Sequence, residues 1–160
     1  MNYLNNARQT VFRQTQFADF ELQIHQLAEK GIPLTGDKLT EVYANIVRKY
    51  YGHDQGICLV DDVYTIEWAY IPHFYYNFYV YQYATSFTAS TALSEKVLAG
   101  EKGAADSYIG FLSAGGSDYP IEILKKAGVD LTTAEPLEKT VAAMNRAMDE
   151  IEKILDKKGM

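Results

Sequence analysis

Apolar residues along this chain recur mostly at helical spacing. Phe12, Phe17, Phe20, Ile24 and Leu27 predict one helix over about Arg8–Lys30, and Gly31 stands where it would stop. Leu39, Val42, Ile46 and Val47 form a stripe over Lys38–Tyr51, with Thr35 or Asp37 placed to cap it and Gly52 to end it. Pro72 suits the first turn of a long helix running to about Leu98, with Gly100 beyond. Shorter helical stretches follow at Glu101–Ala114 and Tyr119–Ala127. The last, Glu135–Lys158, starts with Pro136 and carries Leu137, Val141, Met144, Met148, Ile151 and Leu155 as its stripe. Val63–Ile71, VYTIEWAYI, is different: its β-branched and aromatic residues would pass for a strand. Turn-forming Asp and Gly precede it, so it reads as a loop or entry segment. There is no internal repeat. The pattern predicts an all-α, multi-helix bundle forming a single helical domain over residues 1–160.

Composition narrows the function classes. The chain has 160 residues, 48% of them hydrophobic, which suits one globular domain with a sizeable core. Its net charge of −6 argues against a nucleic-acid partner, because a phosphate backbone needs a basic face. No run of eighteen apolar residues predicts a membrane span, and the N-terminus lacks a signal-peptide core. Cys58 is the single cysteine, so neither an internal disulfide nor a multi-thiolate metal site is available. A buried, inert thiol in a reducing, cytoplasmic compartment is the expectation.

The unusual feature is Ile71–Phe87, IPHFYYNFYVYQYATSF, with one His and five Tyr. A buried Tyr must find a partner for its hydroxyl, so a plain core would use Phe or Leu. On a helix at about 100° per residue, Tyr83 falls within about 20° of Tyr76, with His73 and Tyr79 about 60° to either side. Tyr81 falls about 140° away on the same count. His73, Tyr76, Tyr79 and Tyr83 therefore share one face. Two readings stand: a row of neutral donors beside an imidazole, suited to an oxyanion or a peptide backbone, or an aromatic stripe packed between helices.

Other candidates are weaker. His25 has Glu21 and Glu29 one turn to either side, a spacing that offers metal donors but more simply gives a solvated helix network. His53 follows Gly52 in a predicted loop. The AGGSDYP turn at Ala114–Pro120 lacks the Gly-Lys-Ser/Thr ending of a phosphate loop. Its paired glycines, Gly115 and Gly116, instead suit a loop lying against a peptide. Asp61 and Asp62 read as an exposed acidic turn.

Four blocks resemble a known family. They are W-x-x-I-P-H-F-Y-x-x-F-Y-V-Y-Q-Y-A-T at Trp68–Thr85, FRQTQFADFELQIH at Phe12–His25, LTGDKLTEVYANIVRKYYG at Leu34–Gly52, and GGSDYPIEILKKAGVD at Gly115–Asp130. Together they are similar to the C-terminal region of oligoendopeptidase F-type zinc metallopeptidases, relatives of thimet oligopeptidase. The resemblance implies an all-helical peptidase with a deep channel that cleaves short peptides in the cytoplasm. It implies one zinc ion held by H-E-x-x-H and a further Glu, with the motif's Glu as general base. A His and several Tyr from the C-terminal side contact substrate and stabilise the tetrahedral oxyanion. On that resemblance His73 matches the active-site His, and Tyr76 and Tyr83 match a pair of tyrosines seven apart. Tyr79 is a substrate-side neighbour, and Tyr81 is the competing match for the second tyrosine.

The chain departs from the family in one respect. Its three histidines are His25, His53 and His73, no two of them four apart, so H-E-x-x-H is missing. The resemblance then implies a C-terminal fragment of a larger fold. Zinc would sit on residues N-terminal to Met1, no metal would be bound by this chain alone, and the chain by itself would be inactive. A companion N-terminal fragment is an expected partner. The alternative reading is a non-catalytic helical scaffold or peptide-binding domain that self-associates into a homo-oligomer through its exposed apolar surface.

Overall fold

The computed structural model describes residues 2–159, and among them there are helices and no strand. The all-α expectation is met. The described residues fall into two compact units, one of residues 9–84, the other of residues 2–8 with 85–159.

The 9–84 unit starts in a π-helical turn, Arg8–Phe12, that precedes helix α2 (Arg13–Glu29); α1 is Asn2–Ala7. The single helix expected from Arg8 is therefore shorter at its start. Helix α3 (Gly36–Tyr51) follows the predicted capping: Thr35 Oγ1 accepts from the Lys38 N–H at 3.2 Å, and Gly52 closes it at φ 65°. Val63–Ile71 is neither strand nor loop, because Asp62–Tyr70 is a nine-residue 3₁₀-helix packed on α3. Trp68 Nε1 donates to Thr40 Oγ1 at 3.2 Å and pins it there.

The core of this unit joins Phe17, Phe20, Val42, Tyr43, Ile46, Val47, Val60 and Val80. Phe20 meets Tyr43 edge-on at 5.3 Å and Phe74 at 5.2 Å. Burying each such side chain contributes roughly 1.5–3 kcal/mol. Tyr43, fully buried, has partners for its hydroxyl: Gln16 Nε2 donates to it at 2.8 Å, and it donates to Glu67 Oε2 at 2.5 Å. Arg13 pairs with that same Glu67. Burial, then the Glu67 carboxylate, push the Tyr43 phenol well above its ordinary range.

The second unit carries α1, most of α4 (Tyr81–Leu98), α5 (Ala104–Ala114), α6 (Pro120–Lys126) and α7 (Glu135–Lys157). Ala89, Ala92, Leu93, Leu124, Ala127 and Val129 form its core, with Phe111 and Leu131 against it. On α7 the residues buried are Pro136 and Thr140, while Leu137, Val141, Met148 and Leu155 of the predicted stripe are exposed. Among the described residues no helix is long and apolar enough to cross a membrane.

Candidate functional site

The long helix expected from Pro72 is not there. Ile71 is extended, as a residue before proline prefers, and Pro72–Tyr75 makes one 3₁₀ turn. Tyr76 closes it through its N–H to the His73 carbonyl at 2.9 Å. Asn77 and Phe78 then take positive φ angles, 49° and 60°, and α4 starts at Tyr81. A left-handed conformation costs an L-residue about 1–2 kcal/mol, and Asn accepts it more readily than Phe.

The four candidate rings nevertheless converge. His73 lies 5.9 Å from Tyr79 with the planes 6° apart, and 6.1 Å from both Tyr76 and Tyr83, edge to face. Tyr79 meets Tyr76 at 6.1 Å and Tyr83 at 5.3 Å, again edge to face. The grouping arises from a turn that folds the segment back, not from a helical face. Ile71, Phe74 and Val80 anchor the segment to the core, which leaves the polar rings to the surface. Tyr76 is 60% exposed and Tyr79 37%, while His73 and Tyr83 are half-buried. The aromatic stripe sealed between helices is therefore not what forms. A hydrogen bond with Tyr79, and then burial, raise the Tyr83 phenol above its ordinary value. A tyrosine hydroxyl carries its proton at neutral pH and can donate it to a hydrogen bond. Tyr81, in the first turn of α4, is half exposed.

Gly115 and Gly116 belong to the second unit, directly after α5. Gly115 has φ 53°, and an added Cβ would meet nothing within 4 Å at either glycine. Both line a largely apolar groove of about 840 Å³ whose other walls include Ser90, Val97, Tyr108 and Leu112.

The weaker candidates resolve into structure. His53 Nδ1 accepts from the Val60 N–H at 2.9 Å and ties down the loop after α3. Cys58 is exposed in that loop rather than buried. Glu21 is not part of a solvated helix network, since it is 1% exposed. Its Oε1 accepts from the Phe78 N–H at 2.8 Å, and the Phe78 ring lies 4.5 Å from the His25 ring. The sequence reading missed this role. The available signal was that Glu21 shares a helical face with Phe17, Phe20 and Ile24, where a carboxylate is out of place. Among the described residues, no three of His, Cys, Asp and Glu gather where they would hold a metal ion. The donor set of this chain does not fit the zinc site that the resemblance implies.

An all-helical chain with an exposed His–Tyr cluster fits the peptidase class to which its motifs point. The family model "Peptidase family M3" matches residues 1–143, and the chain belongs to that family. It is 50% identical over 154 residues to oligopeptidase PepF of Bacillus subtilis, covering 96% of this chain and 22% of that protein. It is 42% identical over 158 residues to group B oligopeptidase PepB of Streptococcus agalactiae, covering 98% of this chain and 26% of that one. The crystal structure of oligoendopeptidase-F from Enterococcus faecium superposes with a TM-score of 0.90 at 45% identity, over 98% of this chain and 29% of that one. A putative peptidase from Chlamydophila abortus gives 0.86 at 47% identity, over 94% and 25%. The chain thus spans between a fifth and a third of the length of these relatives.

Proposed function

We propose that this chain supplies the substrate-contacting, oxyanion-stabilising part of an oligoendopeptidase F-like peptidase acting on short peptides. One observation carries the reading. His73, Tyr76, Tyr79 and Tyr83 form a connected cluster of rings, each within 6.1 Å of its neighbour, and none of them is buried. Tyr83 and His73 donate to the oxyanion that develops when a peptide carbonyl becomes tetrahedral. Neutral phenol donors suit this, because they stabilise developing charge without holding a counter-charge in the resting site. Tyr76 orients the peptide, with Tyr79 beside it. Within the second unit, Gly115 and Gly116 line the apolar groove, where backbone without side chains suits a peptide.

Zinc, on this reading, is held by residues outside this chain, either from a longer protein or from a companion fragment. The chain alone with added zinc does not hydrolyse peptides. The test is a graft: this chain replaces the matching 154-residue segment of the Bacillus subtilis relative. The graft is expected to cleave short peptides, and Tyr83→Phe to lower kcat about 10²-fold with KM nearly unchanged. An active graft indifferent to Tyr83→Phe removes the oxyanion role.

The exposed stripe of Leu137, Val141, Met148 and Leu155 on α7 favours a second reading, a helical scaffold that self-associates. Light scattering of the 160-residue chain separates the two: a monomer at high concentration removes the scaffold reading.

A further inference from the structure

We infer that Glu21 is a positioning residue for the His73–Tyr83 cluster, holding the Asn77–Phe78 turn in its left-handed form from within the core. The inference rests on the oxyanion reading above and adds to it the residue that sets the geometry of the donors. His73 lies in the 3₁₀ turn before Asn77, and Tyr83 lies in the first turn of α4. The two-residue turn at Asn77 and Phe78 therefore sets the distance between them.

Asn77 tolerates that conformation, but Phe78 does not favour it, and φ values of 49° and 60° in succession need an external tie at Phe78. A backbone N–H that such a turn directs away from solvent must find an acceptor in the protein. The Glu21 carboxylate fills that role, accepting from the Phe78 N–H at 2.8 Å across a sequence separation of 57. The His25 ring, one turn along α2, meets the Phe78 ring at 4.5 Å and holds the other side of the same residue.

Stability alone does not account for Glu21. It is 1% exposed, and its second oxygen, Oε2, is buried with no partner. Desolvating a carboxylate and leaving one oxygen unpaired opposes folding, and an apolar side chain in that place would avoid it. Groups that break local packing rules in this way concentrate at functional sites. What Glu21 does provide is the acceptor that Phe78 requires.

The experiment has two arms. In the 160-residue chain, Glu21→Leu is expected to leave the melting temperature unchanged or higher. It should also speed amide exchange at Phe78 by about 10-fold or more and shift the His73 ring signals that feel the stacked Tyr79. Glu21→Gln keeps a carbonyl acceptor of the same length and should restore both to near the parent's behaviour. Glu21→Asp keeps the carboxyl group but withdraws it by one methylene, and should match Glu21→Leu in Phe78 exchange and in the His73 signals while melting lower, because the buried carboxyl then lacks its partner. It decides the matter if the leucine variant does not fold.

In the peptidase graft, Glu21→Leu and Glu21→Asp should lower kcat about 10-fold while KM stays within about twofold, a split that a residue serving stability alone would not produce. Unchanged kcat and Phe78 exchange in both variants, beside a Tyr83→Phe that does lower kcat, overturns the role of Glu21 by itself. If Tyr83→Phe leaves kcat unchanged, the oxyanion reading fails instead, and Phe78 exchange and the His73 signals still decide whether Glu21 holds the turn.

Discussion

The His73 imidazole lies face to face with the Tyr79 ring, the centroids 5.9 Å apart and the planes 6° from parallel. Tyr79 also presents an edge-to-face contact to Tyr83 at 5.3 Å. One tyrosine thus fixes the orientation of both proposed donors. The near-parallel Tyr79 ring sets the imidazole plane, and its edge-to-face contact sets the Tyr83 ring.

Removing the Tyr79 hydroxyl should alter Tyr83 more than it alters the fold. The hydrogen bond to Tyr79 is the largest cause of the raised Tyr83 phenol, so Tyr79→Phe should bring that phenol down towards its ordinary value of 10.0. Tyr83 would then lose its donor proton at lower pH, and the alkaline fall in activity of the graft would move to lower pH with it. Titration of ring-labelled Tyr83 followed by carbon NMR checks this. A titration midpoint equal to the parent's contradicts it.

Tyr43 should make the chain sensitive to alkali. Burial raises its phenol in the folded state, whereas the unfolded residue gives up its proton near 10.0. Above that pH the unfolded state binds fewer protons, so stability falls as pH rises, by up to about 1.4 kcal/mol per pH unit for one such group. Tyr43→Phe should remove one proton's worth of that slope. At neutral pH it should cost roughly 1–3 kcal/mol, because Gln16 and Glu67 lose their shared partner. Urea titrations at neutral and alkaline pH measure both effects.

Gly52 and Gly31 separate backbone strain from collision. Both have positive φ, 65° and 70°. A Cβ on Gly31 would meet nothing within 4 Å, while one on Gly52 would lie 2.8 Å from Ile57 Cδ1 and 3.0 Å from Ile57 Cβ. Gly31→Ala should therefore cost about 1 kcal/mol, and Gly52→Ala roughly 2 kcal/mol or more. Equal losses in thermal melts would contradict the packing of Ile57 against the end of α3.

The exposed face of α7 supports a prediction on association. If Leu137, Val141, Met148 and Leu155 drive self-association, Val141→Glu should abolish it without lowering helix content. Sedimentation of parent and variant decides, and identical profiles at all concentrations remove α7 as the contact.

Much of this was legible in the sequence. The stripes of α2 and α3, the Thr35 cap and the Gly52 stop follow from local chemistry that tertiary packing leaves alone. The grouping of the four candidate rings was legible, but not the backbone geometry that brings them together. His73, Tyr76, Tyr79 and Tyr83 do converge, yet Pro72 opens a single 3₁₀ turn, and the seven-residue spacing of the tyrosines crosses a left-handed kink. The reason is non-local: Glu21 on α2 holds the Phe78 N–H, and no property of Asn77 or Phe78 announces that partner. Asp62–Tyr70 escaped for a similar reason, since Trp68 and α3 stabilise a 3₁₀ run whose residues locally suit a strand. The α7 stripe was legible as an apolar face, but periodicity does not report what covers that face.

The central claim, that Tyr83 and His73 donate to a developing oxyanion, is tested most directly with a peptide phosphinate, whose tetrahedral centre mimics that charge. In the peptidase graft, Tyr83→Phe should weaken phosphinate binding about 10²-fold, in step with the loss in kcat/KM, while KM for the matching substrate changes little. A phosphinate bound equally well by parent and variant would contradict the account.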